Sequence, residues 1–325
     1  MKIFLNKRIP EIGIELLNHP NIELIFPDKE ELTHEEWLGY CKQSDALLSV
    51  GKSKFNEEFF EECPNIKAIA LFSVGYDHVD IDAATKHGVA ITNTPDVLSN
   101  ATSDTSFLLM QMVARYAFFN LNKVRNGEWS SNFNPIANLG QELKGKTLGI
   151  LGLGRIGYEM AKKCIGAFDM PIIYHNRNRH PDIEKELNAK YVSFDELLEQ
   201  SDVITIHANY TAKDQHKFNK EAFNKMKSSA ILVNTARGGF VNEEDLYSAL
   251  KNGDIFGAGL DVTEKEPLAK DSKLNTLDNI CIFPHIGSAT VEARSGMARV
   301  AAENIVAFVE GKKLPTIVNP SVFDN

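Results

Sequence analysis

Cysteine is scarce in this chain: Cys41, Cys63, Cys164 and Cys281 lie far apart, with no CxxC spacing. That scatter suits neither a disulfide framework nor a zinc site, and it makes a reducing cytoplasm the expected compartment. Long hydrophobic runs are missing too. The longest uncharged apolar stretches, such as 147–154, fall far short of the roughly 20 residues that a spanning helix needs, so no membrane segment is expected. The opening MKIFLNKRIPEIGIE turns polar after five residues, too soon for the apolar centre of a secretory signal, and reads as a first strand and turn. Basic charge is outnumbered, 35 against 44 acidic side chains, for a formal charge of −9. That balance disfavours nucleic acid or an anionic membrane as the main partner and leaves small molecules. What the chain does have is length and apolar content, 325 residues of which 43% are hydrophobic, and two domains are predicted.

Short β-rich runs recur between amphipathic or polar stretches: KIFL at 2–5, IELIF at 22–26, ALLSV at 46–50, IKAIAL at 66–71 and VAIT at 89–92. A second series follows with TLGILGLG at 147–154, MPIIYH at 170–175, DVITIH at 202–207, AILVN at 230–234, FGAGLDV at 256–262 and ICIFP at 280–284. These runs are apolar throughout rather than alternating, as parallel strands are when helices cover both faces of a sheet. A long helix is predicted from about Asn100 to Val124, stopping at Asn126-Gly127, and another from Ala289 to Glu310, stopping at Gly311. The two helices bracket the second strand series. The simplest architecture is a discontinuous outer domain, 1–99 plus 288–325, with a continuous inner domain of 100–287 inserted in it. Segment 125–146 has weak periodicity and reads as a loop or arm.

The sharpest local signal is Gly152-Leu153-Gly154-Arg155-Ile156-Gly157, directly after an apolar strand and before the helical run YEMAKKCIGAF. In that setting the first glycine makes the tight turn, the second admits a pyrophosphate against the backbone, and the third lets helix pack on sheet. The helix N-terminus then faces the anion. A second match, Gly140 to Thr147, fits the GxxxxGK[ST] phosphate-loop pattern but follows a loop and leads into a strand, so it reads as coincidence. An acidic residue about 20 positions beyond the glycine loop would favour NAD. Here the run Tyr174 to His180 holds Arg177 and Arg179 and no carboxylate, which suits the 2′-phosphate of NADPH, with NADH the alternative.

Three further segments put reactive side chains where strands of the second series end, which is where open α/β sheets bind ligands. Arg237 follows AILVN and is flanked by Gly238-Gly239; a cation there can hold a carboxylate and polarise a neighbouring carbonyl. Glu266 and His285 lie on successive strand–loop units, so the carboxylate can orient the imidazole and raise its pKa for proton transfer near neutral pH. Hydride transfer to a 2-keto acid needs a nicotinamide, a carboxylate anchor and a proton donor, and the chain offers one candidate for each.

Taken together, these motifs resemble those of the D-isomer-specific 2-hydroxyacid dehydrogenases, and most of all the glyoxylate/hydroxypyruvate reductase branch. The resemblance runs through Ser73-Val74-Gly75-Tyr76-Asp77-His78-Val79-Asp80, Asn93-Thr94-Pro95, Asn126-Gly127-Glu128-Trp129, the glycine loop, Asn234-Thr235-Ala236-Arg237-Gly238, Gly259-Leu260-Asp261-Val262, Glu266-Pro267 and Pro284-His285-Ile286-Gly287-Ser288-Ala289-Thr290. It implies two doubly wound, Rossmann-like α/β domains, the cofactor domain inserted in the substrate domain. It implies that Arg237 binds substrate, Glu266 supports the acid–base residue, His285 donates the proton, and the Val74 and Gly75 amides with Ser288 meet the substrate. By the same resemblance Gly154, Arg155 and Ile156, in the cofactor-binding loop that Gly152 and Gly157 shape, touch the pyrophosphate, Arg177 and Arg179 the adenosine phosphate, and Thr235, Asp261 and Gly287 the nicotinamide half. The family is usually dimeric, and Phe133 or Trp129 would correspond to an aromatic that caps the partner's pocket. One departure is Ala208-Asn209-Tyr210-Thr211, where the family often has an apolar–Pro–apolar–Thr run. The expected activity is reduction of glyoxylate or hydroxypyruvate, with a bulkier keto acid or a dinucleotide-sensing corepressor-like role as the alternatives.

Overall fold

The structure, a computed structural model, describes residues 1–131, 134–137 and 139–324. In chain order it contains β1 (Lys2–Leu5), α1 (Glu11–Leu17), β2 (Glu23–Ile25), α2 (His34–Lys42), β3 (Ala46–Ser49), α3 (Glu57–Glu62), β4 (Ala68–Leu71), α4 (Ile81–Lys86) and β5 (Ala90–Thr92). There follow α5 (Ser99–Ala114), α6 (Ala117–Arg125), β6 (Leu148–Leu151), α7 (Arg155–Phe168), β7 (Ile172–His175), α8 (Pro181–Leu187), β8 (Lys190–Tyr191), α9 (Phe194–Gln200) and β9 (Val203–Ile206). The chain ends with α10 (Lys220–Lys225), β10 (Ile231–Asn234), α11 (Glu243–Asn252), β11 (Gly257–Leu260), β12 (Ile280–Ile282) and α12 (Val291–Val309). It divides into two compact units, Met1–Leu98 with Ala289–Asn325, and Ser99–Ser288.

The first unit is a five-stranded parallel sheet in the order β2-β1-β3-β4-β5. Strands such as AIAL are buried along their whole length, which requires helices on both faces. On one face Trp37, Phe55, Phe59 and Phe60 stack edge-to-face and tilted. On the other, α12 lays its alanines, Ala298, Ala301 and Ala302, against the sheet and α1. These small side chains allow so close an approach that a Cβ at Gly13 would come within 3.0 Å of the Ala298 carbonyl oxygen.

The second unit is a seven-stranded parallel sheet in the order β12-β11-β10-β9-β6-β7-β8. Its strand order reverses between β6 and β9, so the carboxyl ends of those two strands open the crevice where such sheets bind ligands. Two expectations need correction. The edge strand β8 is a two-residue segment with no apolar run to announce it. The single helix expected from Asn100 to Val124 is two helices, because Tyr116 takes a left-handed φ of 48°. The break has a tertiary cause: the Ala114 carbonyl accepts from Gln141 N at 2.7 Å, and the Tyr116 ring packs edge-on against Phe256. The phosphate-loop lookalike, Gly140 to Thr147, runs straight into β6 and opens no helix.

Candidate active site

The glycine loop follows β6 at the switch point. Gly152 has φ +97°, and a Cβ there would lie 2.3 Å from the Ala208 amide nitrogen. A Cβ on Gly157 would lie 2.5 Å from the Gly152 carbonyl oxygen, so these two glycines let β6, α7 and the segment after β9 close on one another. Gly154 differs: a Cβ there would meet nothing within 4 Å, leaving open space beside the backbone at the start of α7. Arg155, Ile156 and Gly157 form the first helical turn, whose amides point back out of the helix. A tight turn, an open second glycine and a helix N-terminus fit a pyrophosphate.

At the end of β7 the residues divide. Asn176, which no motif in the sequence marks, accepts from Leu153 N at 2.7 Å and so pins the middle of the glycine loop. Arg179 is committed to a fork on Glu184, with Nε to Oε1 at 3.0 Å and Nη2 to Oε2 at 2.6 Å. The Tyr174 hydroxyl also donates to Glu184, at 2.6 Å. The Arg179 guanidinium and this hydroxyl hold the Glu184 carboxyl down at about 2. Arg177 is exposed and makes no ion pair with any described residue.

The reactive side chains sit on three neighbouring loops of the same sheet. After β10, Asn234 is fully buried; its side chain accepts from Ala236 N and donates to the Arg237 carbonyl, shaping the loop that carries Arg237. The next residue has to be glycine, because a Cβ at Gly238 would lie 2.0 Å from the Thr263 carbonyl carbon. Thr235 shares a buried hydroxyl hydrogen bond with Ser106 at 2.7 Å. After β11 and β12 come Glu266 and His285, and Glu266 Oε2 lies 2.9 Å from His285 Nδ1, with the imidazole the more exposed of the pair.

His285 takes a left-handed φ of 57°, unusual for a residue with a side chain. Asp261 holds it there. Its carboxylate accepts from the amides of Ile286 and Gly287, both at 2.7 Å. Burial pushes the Asp261 carboxyl above its ordinary range, against the pull of these two amides. Both its oxygens face the loop that presents the imidazole, a duty that the sequence alone does not announce. Gly287 fits because a Cβ there would come within 2.9 Å of Asp261 Oδ2. Ser288 is partly exposed where this unit ends.

In the first unit, Val74 and Gly75 follow β4 in a partly exposed loop. Among the described residues their amides find no acceptor. Of the two aromatics considered for capping, Trp129 is strongly exposed, and Phe133 lies outside the described residues. Ala208, the first residue of the departure from the family pattern, packs on Gly152, while the Tyr210 ring meets Phe240 edge-on.

A parallel sheet with a glycine loop at its switch point and an Arg, Glu and His set on the adjoining loops defines a dinucleotide-dependent oxidoreductase. Comparison with known proteins gives the family. The model of the D-isomer specific 2-hydroxyacid dehydrogenase NAD binding domain matches residues 107–287. Glyoxylate reductase from Pyrococcus horikoshii is 42% identical over 99% of this chain and 96% of its own, and that from Thermococcus litoralis is 43% identical over 99% and 97%. Among solved structures, a glyoxylate reductase from Paecilomyes thermophila superposes with a TM-score of 0.87 at 35% identity, covering 98% of each chain. The NADPH-dependent glyoxylate/hydroxypyruvate reductase of Sinorhizobium meliloti, solved with NADP and malonate, superposes with a TM-score of 0.83 at 28% identity, covering 99% of this chain and 97% of that one. The chain belongs to the D-isomer specific 2-hydroxyacid dehydrogenase family, and its cofactor is a nicotinamide dinucleotide.

Proposed function

We propose that this protein reduces a small 2-keto acid, glyoxylate or hydroxypyruvate, to glycolate or the D-2-hydroxy acid, with NADPH as the preferred cofactor. The observation that carries the reading is the 2.9 Å contact between Glu266 and His285 on loops of the sheet that holds the glycine loop. With Nδ1 facing the carboxylate, which fixes the orientation of the ring, the other ring nitrogen is left to deliver a proton. Bound NADPH supplies the hydride to the keto carbon. His285 gives the proton to the keto oxygen, Arg237 holds the substrate by its negative charge, and the Val74 and Gly75 amides with Ser288 take its carboxylate. Gly154, Arg155 and Ile156 receive the pyrophosphate in the turn that Gly152 and Gly157 shape, and Thr235, Asp261 and Gly287 border the nicotinamide half.

The preference for NADPH rests on Arg177 and Arg179 and on the lack of a carboxylate from Tyr174 to His180. Because Arg179 is already forked on Glu184, Arg177 is the stronger candidate for the 2′-phosphate. The names of the curated relatives favour glyoxylate as the substrate. Exposed Leu108 on α5 and Phe118, Leu121 and Val124 on α6 favour a homodimer through this face. Residence in the reducing cytoplasm agrees with four buried cysteines that form no disulfide with one another.

The test is optical: oxidation of NADPH and of NADH by purified protein with glyoxylate, hydroxypyruvate, pyruvate and phenylpyruvate. Fast NADPH loss with the two small polar acids is expected. Slow loss with all four, despite tight cofactor binding, would replace the enzyme by a sensor of dinucleotide state.

A further inference from the structure

The loop after β4 is held by its carbonyls. Thr94 N donates to the Ser73 carbonyl at 2.9 Å, Asn93 Nδ2 donates to the Val74 carbonyl at 2.8 Å, and Ser73 Oγ donates to the Gly75 carbonyl at 2.8 Å. A trans peptide is planar, with its C=O and the following N–H pointing opposite ways. Drawing the Ser73 and Val74 carbonyls inward therefore turns the amides of Val74 and Gly75 outward, side by side. Two adjacent outward amides make a small anion-binding concavity. One of the two is set by a backbone donor, the Thr94 amide. The other depends on a single side-chain amide, that of Asn93.

Asn93 is itself fixed by a second polar chain. Thr316 Oγ1 donates to the Asn93 carbonyl at 2.6 Å and accepts from Asn304 Nδ2 at 2.8 Å, and Thr316 N donates to Asn304 Oδ1 at 3.1 Å. Asn304 lies on α12 and is 2% exposed, a polar residue in a face otherwise lined by alanine, methionine and isoleucine. Buried amides of this kind persist when every donor and acceptor is satisfied, and such a network fixes one geometry.

We propose that Asn93 is the positioning residue for the two-amide carboxylate seat of Val74 and Gly75, and that Asn304 and Thr316 hold Asn93 in register. This rests on the reading of the chain as a 2-keto acid reductase, whose substrate carries the carboxylate. The ligand class is a small α-keto or α-hydroxy carboxylate.

The experiment compares Asn93→Ala, Thr316→Val and Thr316→Ser with the unaltered protein, measuring KM and kcat for glyoxylate and, by calorimetry, oxalate binding to the NADP-loaded protein. Asn93→Ala is expected to raise KM and the oxalate Kd about tenfold, the loss of one well-aimed charge-assisted hydrogen bond, with kcat and the NADPH Kd within about twofold. Thr316→Val keeps the shape but loses the hydroxyl, and should show the same split at smaller size. Thr316→Ser restores the hydroxyl and the unaltered KM. An unchanged KM and oxalate Kd in Asn93→Ala, or Thr316→Ser no better than Thr316→Val, would overturn the proposal while leaving the reductase reading intact. Conversely, Asn93-dependent oxalate binding by a protein that reduces no keto acid would keep the seat and remove the reductase reading.

Discussion

In the first unit Gln43-Ser44-Asp45 leads into β3; in the second, Gln200-Ser201-Asp202 leads into β9. Each serine donates to the carbonyl four residues back, Ser44 to Tyr40 and Ser201 to Leu197. Each aspartate side chain accepts the amide at the start of its sheet's first strand, Asp45 from Lys2 N at 2.7 Å and Asp202 from Thr147 N at 2.9 Å. Their backbones repeat the pattern too: Asp45 N donates to Lys2 O, and Asp202 N to Thr147 O. The two sheets are thus begun by the same device, and they part company at the other end. After β1 comes Asn6-Lys7-Arg8-Ile9-Pro10, with no glycine before Gly13, and Gly13 packs on Ala298. After β6 comes a glycine loop with an open second glycine. The strand-start device is therefore common to both units, whereas the glycine loop and the loops that carry Arg237, Glu266 and His285 belong to the second sheet alone.

The largest effect that can test this division is at His285. Asparagine tolerates the left-handed backbone there, so His285→Asn removes the imidazole with little change in the loop. Turnover should fall by a factor on the order of 100 to 10,000, while NADPH binding, followed by fluorescence titration, stays as it was. Near-full turnover would take proton transfer away from this loop.

The next effect sets one glycine against another. Gly51 and Gly152 both have positive φ, +105° and +97°, but a Cβ on Gly51 meets nothing within 4 Å whereas one on Gly152 strikes the Ala208 backbone. Gly51→Ala should cost only the left-handed backbone penalty, about 1–2 kcal/mol, and leave NADPH affinity alone. Gly152→Ala should cost more and weaken NADPH binding by at least about tenfold, since the loop can no longer lie against Ala208. Equal losses in thermal unfolding and unchanged affinity in both variants would break the distinction.

How much of this is readable in the residues themselves follows from which contacts are local. Most of the longer strands are legible because a doubly covered parallel strand is apolar along its length, and the glycine loop because its chemistry is contiguous. The β8 strand is not, since two residues at a sheet edge leave no pattern. The break at Tyr116 is invisible because its cause, the Ala114 carbonyl taken by Gln141, lies outside the helix. The Glu266 to His285 contact could be anticipated because both residues lie on the loops that follow successive strands. The grip of Asp261 on Ile286 and Gly287, and of Asn93 on Val74, could not. Asn93 bonds Val74 19 residues away and Thr316 223 residues away, and no spacing rule reaches that far.

The smallest predicted effect probes the shared device at the strand starts. Asp202 differs from Asp45 in one respect: its second oxygen pairs with Lys227 Nζ at 2.9 Å. Burial would raise the Asp202 carboxyl, but the Thr147 amide and Lys227 together hold it below its ordinary value. A carboxyl whose folded pKa is lowered stabilises the fold above the unfolded pKa, about 3.9, and that contribution drains away as pH falls through the folded value. Asp202→Asn should therefore cost about 1 kcal/mol at pH 7, a partly exposed pair being worth no more. The gap from the unaltered protein should close as urea unfolding is repeated below pH 4, where protonated aspartic acid and asparagine become alike. Asp45→Asn, which takes the charge from the same backbone bond but has no lysine to lose, should cost less at pH 7. If the two substitutions cost the same, Lys227 adds nothing to the second sheet, and the two aspartates are equivalent in energy as well as in geometry.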